Sequence, residues 1–211
     1  MKNLLQSRVS AFLLLLLPFL LIYGHVTKFP YTFCIIIIYI FIITYWQYGN
    51  LKILNFKKIR WKEFKIIIGI FLLFSLFDFF LLSPAIDWIF RESADYSVFH
   101  ELQGNTPLYL KKIFNMWISA AFGEELLFRA FAFTQLEHTL KKKTKWIVPI
   151  TALLFCIPHA YQGISGVVGI FITGIILAII YNKTQNIWIN VAIHGLIDTL
   201  SLTLLYLGIL Q

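Results

Sequence analysis

Residues 166–181 read GVVGIFITGIILAIIY and residues 66–83 read IIIGIFLLFSLFDFFLLS. The first stretch carries no charged side chain, and the second carries only Asp78. Each approaches the roughly 20 apolar residues needed to cross a bilayer core of about 30 Å. Helix is the state open to such a segment, because lipid cannot satisfy backbone groups left unpaired by irregular chain. Outward from these two, further apolar runs lie near 11–28, 30–46, 113–135, 146–162 and 187–209. The pattern predicts an all-α, polytopic membrane helix bundle of about seven transmembrane helices.

Composition agrees. Of 211 residues, 59% are hydrophobic and 13% charged, where a soluble domain carries about 25% charged residues. The mean hydropathy is +0.79. These values exclude a soluble globular fold. The first run follows Lys2 and Arg8 without a small-x-small cleavage site, so it is expected to stay as a helix.

The net charge of +8 is concentrated between apolar runs, as in Lys57, Lys58, Arg60, Lys62 and Lys65, or Lys141, Lys142, Lys143 and Lys145. That placement fits cytoplasmic loops rather than nucleic-acid binding, for which no signature is present. Alternating sides puts the amino terminus, the 47–65 and 136–145 loops and the 182–186 turn in the cytoplasm. The 84–112 loop falls opposite. The expectation is a multi-pass protein of the plasma membrane, with Pro158, Gly163 and Gly166 marking a broken or re-entrant passage. Residues 1–112 are expected to be scaffold and 113–211 a catalytic helix core, within one structural domain. Cys34 and Cys156 lie in apolar stretches and are expected to be small buried hydrophobes.

Ionisable groups inside spans are costly and are functional candidates by default. They are Asp78, Glu124, Glu125, Arg129, His159, His194 and Asp198. All but Asp78 fall in three late segments. In AAFGEELLFRAF (residues 120–131), Glu125 and Arg129 are four apart and can pair on one helix face. Glu124, about 100° round an α-helix, is a second carboxylate that this pairing does not explain. In LLFCIPHAYQ (residues 153–162), Phe155 precedes His159 by one turn; packing and ring-fixing are both open to it. In NVAIHGLIDTL (residues 190–200), Asp198 can reach His194 and fix its tautomer, or join it as a metal ligand. Together these residues suit a hydrolytic centre of base, imidazoles and orienting carboxylate. His25, His100 and His138 fall in loops and have no assigned role.

The three motifs Glu124-Glu125-x-x-x-Arg129, Phe155-x-x-x-His159 and His194-x-x-x-Asp198 resemble, in order, those of the CPBP (Abi) intramembrane proteases, which include the CAAX prenyl endopeptidases. The resemblance covers about residues 113–205. It implies a catalytic centre in a cavity among the carboxyl-terminal helices and an intramembrane endopeptidase cutting a membrane-embedded or lipidated peptide. It makes Glu124 the residue that activates water and His159 the residue that holds it. His194 and position 198 would stabilise the oxyanion, with Glu125, Arg129 and Phe155 in support. Two positions depart from the family pattern: Asp198 stands where Asn is common, and Ala130 where Gly is common. An amide donates to an oxyanion and an ionised carboxylate cannot, so Asp198 stays protonated, orients His194 or binds a metal.

No cofactor is required by this scheme. Zinc is the alternative, since Glu124, His159, His194 and Asp198 could supply oxygen and nitrogen ligands; against it, HExxH spacing is missing. The competing functions are a transporter or ion path using the same charges, and a non-catalytic, bacteriocin-immunity-like membrane protein. No matched pair of broken helices supports the first. The sequence carries no signal for oligomeric state. Helix lengths also pose a geometric problem, because His159 falls near the outer end of its span and His194 nearer the inner end of its own.

Overall fold

The computed structural model describes residues 7–24, 26–141 and 144–210. Lys2, His25, Lys142 and Lys143 lie outside the described residues. Among those described, the chain is helical and has no strand.

Helix α1 (Arg8–Tyr23) is capped by Ser7, whose hydroxyl accepts from Ser10 N at 3.1 Å. Helix α2 (Tyr31–Tyr48) follows. Helix α3 (Trp61–Phe77) continues through a π-helical turn (Asp78–Leu82) into α4 (Ser83–Phe90). The helix therefore runs past the expected end at 83. Pro84 follows directly on the π-helical turn, in which Ser83 N donates to Asp78 O, and the helix carries on through it.

A 3₁₀ segment (Ser97–Leu102) leads to a second long rod. This rod comprises α5 (Thr106–Met116), two π-helical stretches (Trp117–Glu124 and Leu126–Phe131) and α6 (Ala132–Leu140). It begins ahead of the expected position 113 because Asn105 caps it, accepting from Leu108 N at 3.2 Å, with Pro107 beside the cap. Helices α7 (Thr144–Cys156) and α8 (Gly163–Thr184) flank a 3₁₀ turn (Ile157–Gln162), and α9 (Ile187–Tyr206) closes the bundle.

The stretch from α7 to α8 is a hairpin. Gly163 has φ of +75°, a conformation open to glycine and costly for other residues. A Cβ on Gly174 would approach Ala152 Cα to 3.1 Å. Ala152 and Gly174 are equidistant in sequence from Gly163, so the two arms run antiparallel in close contact. The break expected around Pro158, Gly163 and Gly166 is this turn.

Four helical stretches among the described residues are long and apolar enough to cross a bilayer: Tyr31–Tyr48, Trp61–Phe90, Thr144–Thr184 and Ile187–Tyr206. Arg8–Tyr23 is a shorter apolar helix. The protein is an integral membrane protein. Burial separates inner from outer elements: 44% of the apolar window in Ile187–Tyr206 is buried, against 11% in Trp61–Phe90. Helix α9 is thus interior, and α3–α4 presents most of its surface to lipid.

The early helices pack directly on the π-helical rod. Phe19 lies 5.8 Å from Phe128 and Tyr39 lies 6.1 Å from Phe131, centroid to centroid. Contacts between loops sort the two ends of the bundle. At one end Asn55 Nδ2 donates to Tyr181 Oη at 2.9 Å, Ile187 N donates to Asn55 O at 3.2 Å, and Tyr48 stacks near His138 at 6.0 Å. At the other, Glu92 meets the start of α8, and Gly104 N donates to Tyr206 O at 3.0 Å. The 47–65 loop thus shares an end with the 136–141 and 182–187 segments, opposite the 91–105 loop.

Candidate active site

The rod of α5 and α6 runs antiparallel to α9, with contacts in register. Tyr109 Oη lies 2.9 Å from Thr203 Oγ1, and Trp117 Nε1 donates to Thr199 Oγ1 at 3.2 Å. The Trp117 ring lies so close to Gly195 that a Cβ there would come within 2.5 Å of it. Gly195 is therefore a position of close approach, and it sets α9 against the π-helical segment beside His194. The i→i+5 pairing of π-helix widens the turn and recurs at functional sites. Here it replaces the regular α-helix assumed for the glutamate pair.

One step further along the register, Glu125 is the hub of the polar core. Its Oε1 lies 3.0 Å from Arg129 Nη1 and 3.0 Å from His194 Nδ1. Its Oε2 accepts from Asn190 Nδ2 at 3.1 Å. Asn190 Nδ2 also donates to Leu177 O at 2.8 Å, and Arg129 Nη2 donates to Gly174 O at 3.4 Å. Glu125, Arg129 and Asn190 are fully buried. The Arg129 Nη1 contact has ion-pair distance without hydrogen-bond angle, and Nε has no partner among the described residues. The guanidinium instead lies over the Phe155 ring, 4.3 Å from its centroid, a favourable cation–π placement.

Glu124 differs from its neighbour. It is buried, at 7% exposure, yet accepts no hydrogen bond and forms no ion pair with any described residue. It lies within electrostatic reach of His194, Asp198, Glu125 and Arg129.

His194 is held at both ring nitrogens. Nδ1 faces Glu125, and Nε2 faces Asp198 Oδ2 at 3.4 Å. Asp198 is the more open of the two carboxylates, with 31% of its side chain exposed against 0% for Glu125. The pairing of His194 with Asp198 expected from i,i+4 spacing is present. The contact of His194 with Glu125 is the closer one and was not expected.

Phe155 joins the two histidines. Its ring centroid lies 5.7 Å from that of His159 and 5.7 Å from that of His194, and 5.3 Å from that of Phe128. The geometric problem posed by helix lengths is thereby resolved, because the hairpin brings His159 and His194 to the same aromatic ring. His159 Nδ1 bonds to Phe155 O at 3.1 Å, within its own segment.

Asn190 is the site residue that sequence inspection missed. It precedes His194 by four residues, as His194 precedes Asp198, so Asn190, His194 and Asp198 mark one face of α9. That spacing was the available signal.

Among the described residues no three of His, Cys, Asp and Glu converge as a metal site would require. Both ring nitrogens of His194 face carboxylates, and His159 Nδ1 is engaged with a carbonyl. His194 is thereby engaged on both sides, whereas Glu124 and His159 Nε2 have no described partner.

Residues 106–200 match the Rce1-like family model, type II CAAX prenyl endopeptidase Rce1-like. The matched region contains all three motifs, and the family, one of peptidases, is the kind they resemble. No curated protein and no solved structure matches the chain.

Proposed function

We propose that this chain is an intramembrane endopeptidase of the CAAX-protease type, cutting a membrane-embedded or lipidated peptide by glutamate-activated water. The observation that carries this is the contrast between two adjacent carboxylates. Glu125 is saturated by Arg129, His194 and Asn190, whereas Glu124 is buried without a partner. A carboxylate desolvated at such cost and left free is suited to hold and deprotonate a water.

In the proposed reaction Glu124 takes a proton from a water positioned with His159. The resulting hydroxide attacks the peptide carbonyl carbon, and the carbonyl π electrons move onto oxygen. His194, held by Glu125 at Nδ1, donates its Nε2–H to that oxyanion in exchange for the 3.4 Å contact with Asp198. Collapse of the intermediate breaks the C–N bond, and Glu124 returns the proton to the leaving nitrogen. Asp198 orients His194 in this scheme and is not an oxyanion donor. No metal takes part.

The catalytic centre lies in a cavity among the carboxyl-terminal helices. An apolar groove of about 360 Å³ is lined by Trp117, Phe122, Trp188 and Val191 among others. It lies on the same helical elements as Glu124 and His194 and suits an apolar segment of substrate, although none of the four proposed catalytic residues lines it. We assign seven passages, counting the α7–α8 hairpin as two, with the amino terminus and the 47–65 loop cytoplasmic in the plasma membrane. Incubating purified protein with membrane-anchored and prenylated peptides, and reading products by mass, tests the activity. Discrete cleavage products are expected. Intact peptides together with proton flux through reconstituted vesicles would favour a transporter instead.

A further inference from the structure

The 91–105 loop makes a set of bonds to the His159 turn that the proposed chemistry leaves unused. Glu92 Oε1 accepts from Ile164 N at 2.6 Å and from Ser165 N at 3.2 Å. Ser165 Oγ donates to Glu92 O at 2.7 Å, and Asp95 N donates to Gln162 O at 3.0 Å. Beyond the flanking helices α7 and α8, the hydrogen bonds described between residues 157–165 and other elements go to Glu92 or Asp95. A Cβ on Gly163 would meet Glu92 Oε1 at 3.1 Å, so the carboxylate sits hard against the point where the chain reverses. Asp95 itself is braced: its Oδ1 accepts from Ser97 N at 2.7 Å, and the Ser97 contacts hold its carboxyl below the usual range.

His159 makes its one described side-chain hydrogen bond to Phe155 O at the end of the adjoining α7, and none to α8 or α9. Its position relative to His194 therefore depends on the backbone of a 3₁₀ turn six residues long, and long 3₁₀ runs have poor hydrogen-bond geometry of their own. We infer that Glu92 is a positioning residue, an external brace that fixes the Ile157–Gly163 turn and so holds His159 against Phe155, the ring that His194 also contacts. The inference rests on the assignment of His159 to the hydrolytic centre. A carboxylate accepting two backbone N–H groups at the start of a helix makes charge-assisted bonds and favours the helix dipole. Glu92 thus links the outer loop to the geometry of the site without touching substrate.

The test compares wild type with Glu92→Ala, Glu92→Asp and Glu92→Gln, using Glu124→Gln as the inactive control. Amide hydrogen exchange over residues 157–166 reads the brace directly. Exchange at Ile164 and Ser165 is expected to rise at least about tenfold in Glu92→Ala, because the acceptor is gone. Peptide cleavage is expected to lose about 10- to 100-fold in kcat, with KM within about twofold and the melting temperature of wild type. Glu92→Asp, one methylene short, should lose kcat in the same direction, and Glu92→Gln, which keeps an acceptor oxygen in place, should recover most of it. Unchanged exchange in Glu92→Ala, or faster exchange with wild-type kcat, overturns the inference and leaves the hydrolytic assignment standing. A wild type that cleaves nothing overturns that assignment and this inference with it.

Discussion

His194 Nδ1 lies 3.0 Å from Glu125 Oε1, the same oxygen that lies 3.0 Å from Arg129 Nη1. One buried carboxylate therefore serves both as counter-ion to an arginine and as the group that aims an imidazole. Removing its charge leaves Arg129 buried and uncompensated, a change that costs about 3–5 kcal/mol for a buried pair. Glu125→Gln is expected to lower the yield of monodisperse protein and its melting temperature in detergent. A Glu125→Gln protein as stable as wild type would show that the pair carries little of the fold.

Asn190 ties Glu125 to the Leu177 carbonyl, at 3.1 and 2.8 Å. Asn190→Leu leaves Glu125 Oε2 without a described donor and Leu177 O with its helical partner alone. It should destabilise by about 1–3 kcal/mol, the cost of one buried acceptor left unsatisfied, and reduce kcat through a looser His194. Thermal unfolding and kinetics read the two effects separately. Asn190→Leu with wild-type values for both would remove Asn190 from the site.

Loop contacts group the 47–65, 136–141 and 182–187 segments at one end of the bundle and the 91–105 loop at the other. With the cationic end in the cytoplasm, Lys58→Cys and Lys145→Cys in a chain lacking Cys34 and Cys156 should resist impermeant thiol reagents in intact cells. Ser93→Cys should label. Labelling with the opposite pattern would invert the assigned orientation.

In the proposed scheme Glu124 activates the water directly, and both ring nitrogens of His194 already face carboxylates. Activity is accordingly expected to survive prolonged chelation, with zinc well below one per chain by elemental analysis. Loss of activity on chelation and its recovery with zinc would assign the water to a metal.

The polar centre was legible where it follows helical spacing. Glu125–Arg129 and His194–Asp198 are i,i+4 pairs, and both occur. The chain reversal was legible in Pro158, Gly163 and Gly166. The contact between Glu125 and His194 was not, because it depends on the register of two helices remote in sequence. That register is set by the Trp117–Gly195 approach and by π-helical turns, neither of which leaves a period in the sequence. Span ends were displaced where helix continues beyond the apolar run, through the π-helical turn after Phe77 and back to the Asn105 cap. The brace at Glu92 was not legible, since a carboxylate that caps a helix 72 residues away in sequence carries no local mark.

The central claim, that Glu124 activates the water and Glu125 does not, is tested most directly by cleavage kinetics of purified Glu124→Gln. The variant is isosteric at a carboxylate without partners among the described residues, so yield and melting temperature should match wild type. Hydrolysis should fall by about 10²–10⁴-fold, the loss expected when a general base is removed. Well-folded Glu124→Gln that cleaves the peptide within about twofold of the wild-type rate, a change far smaller than loss of a base produces, would contradict the account.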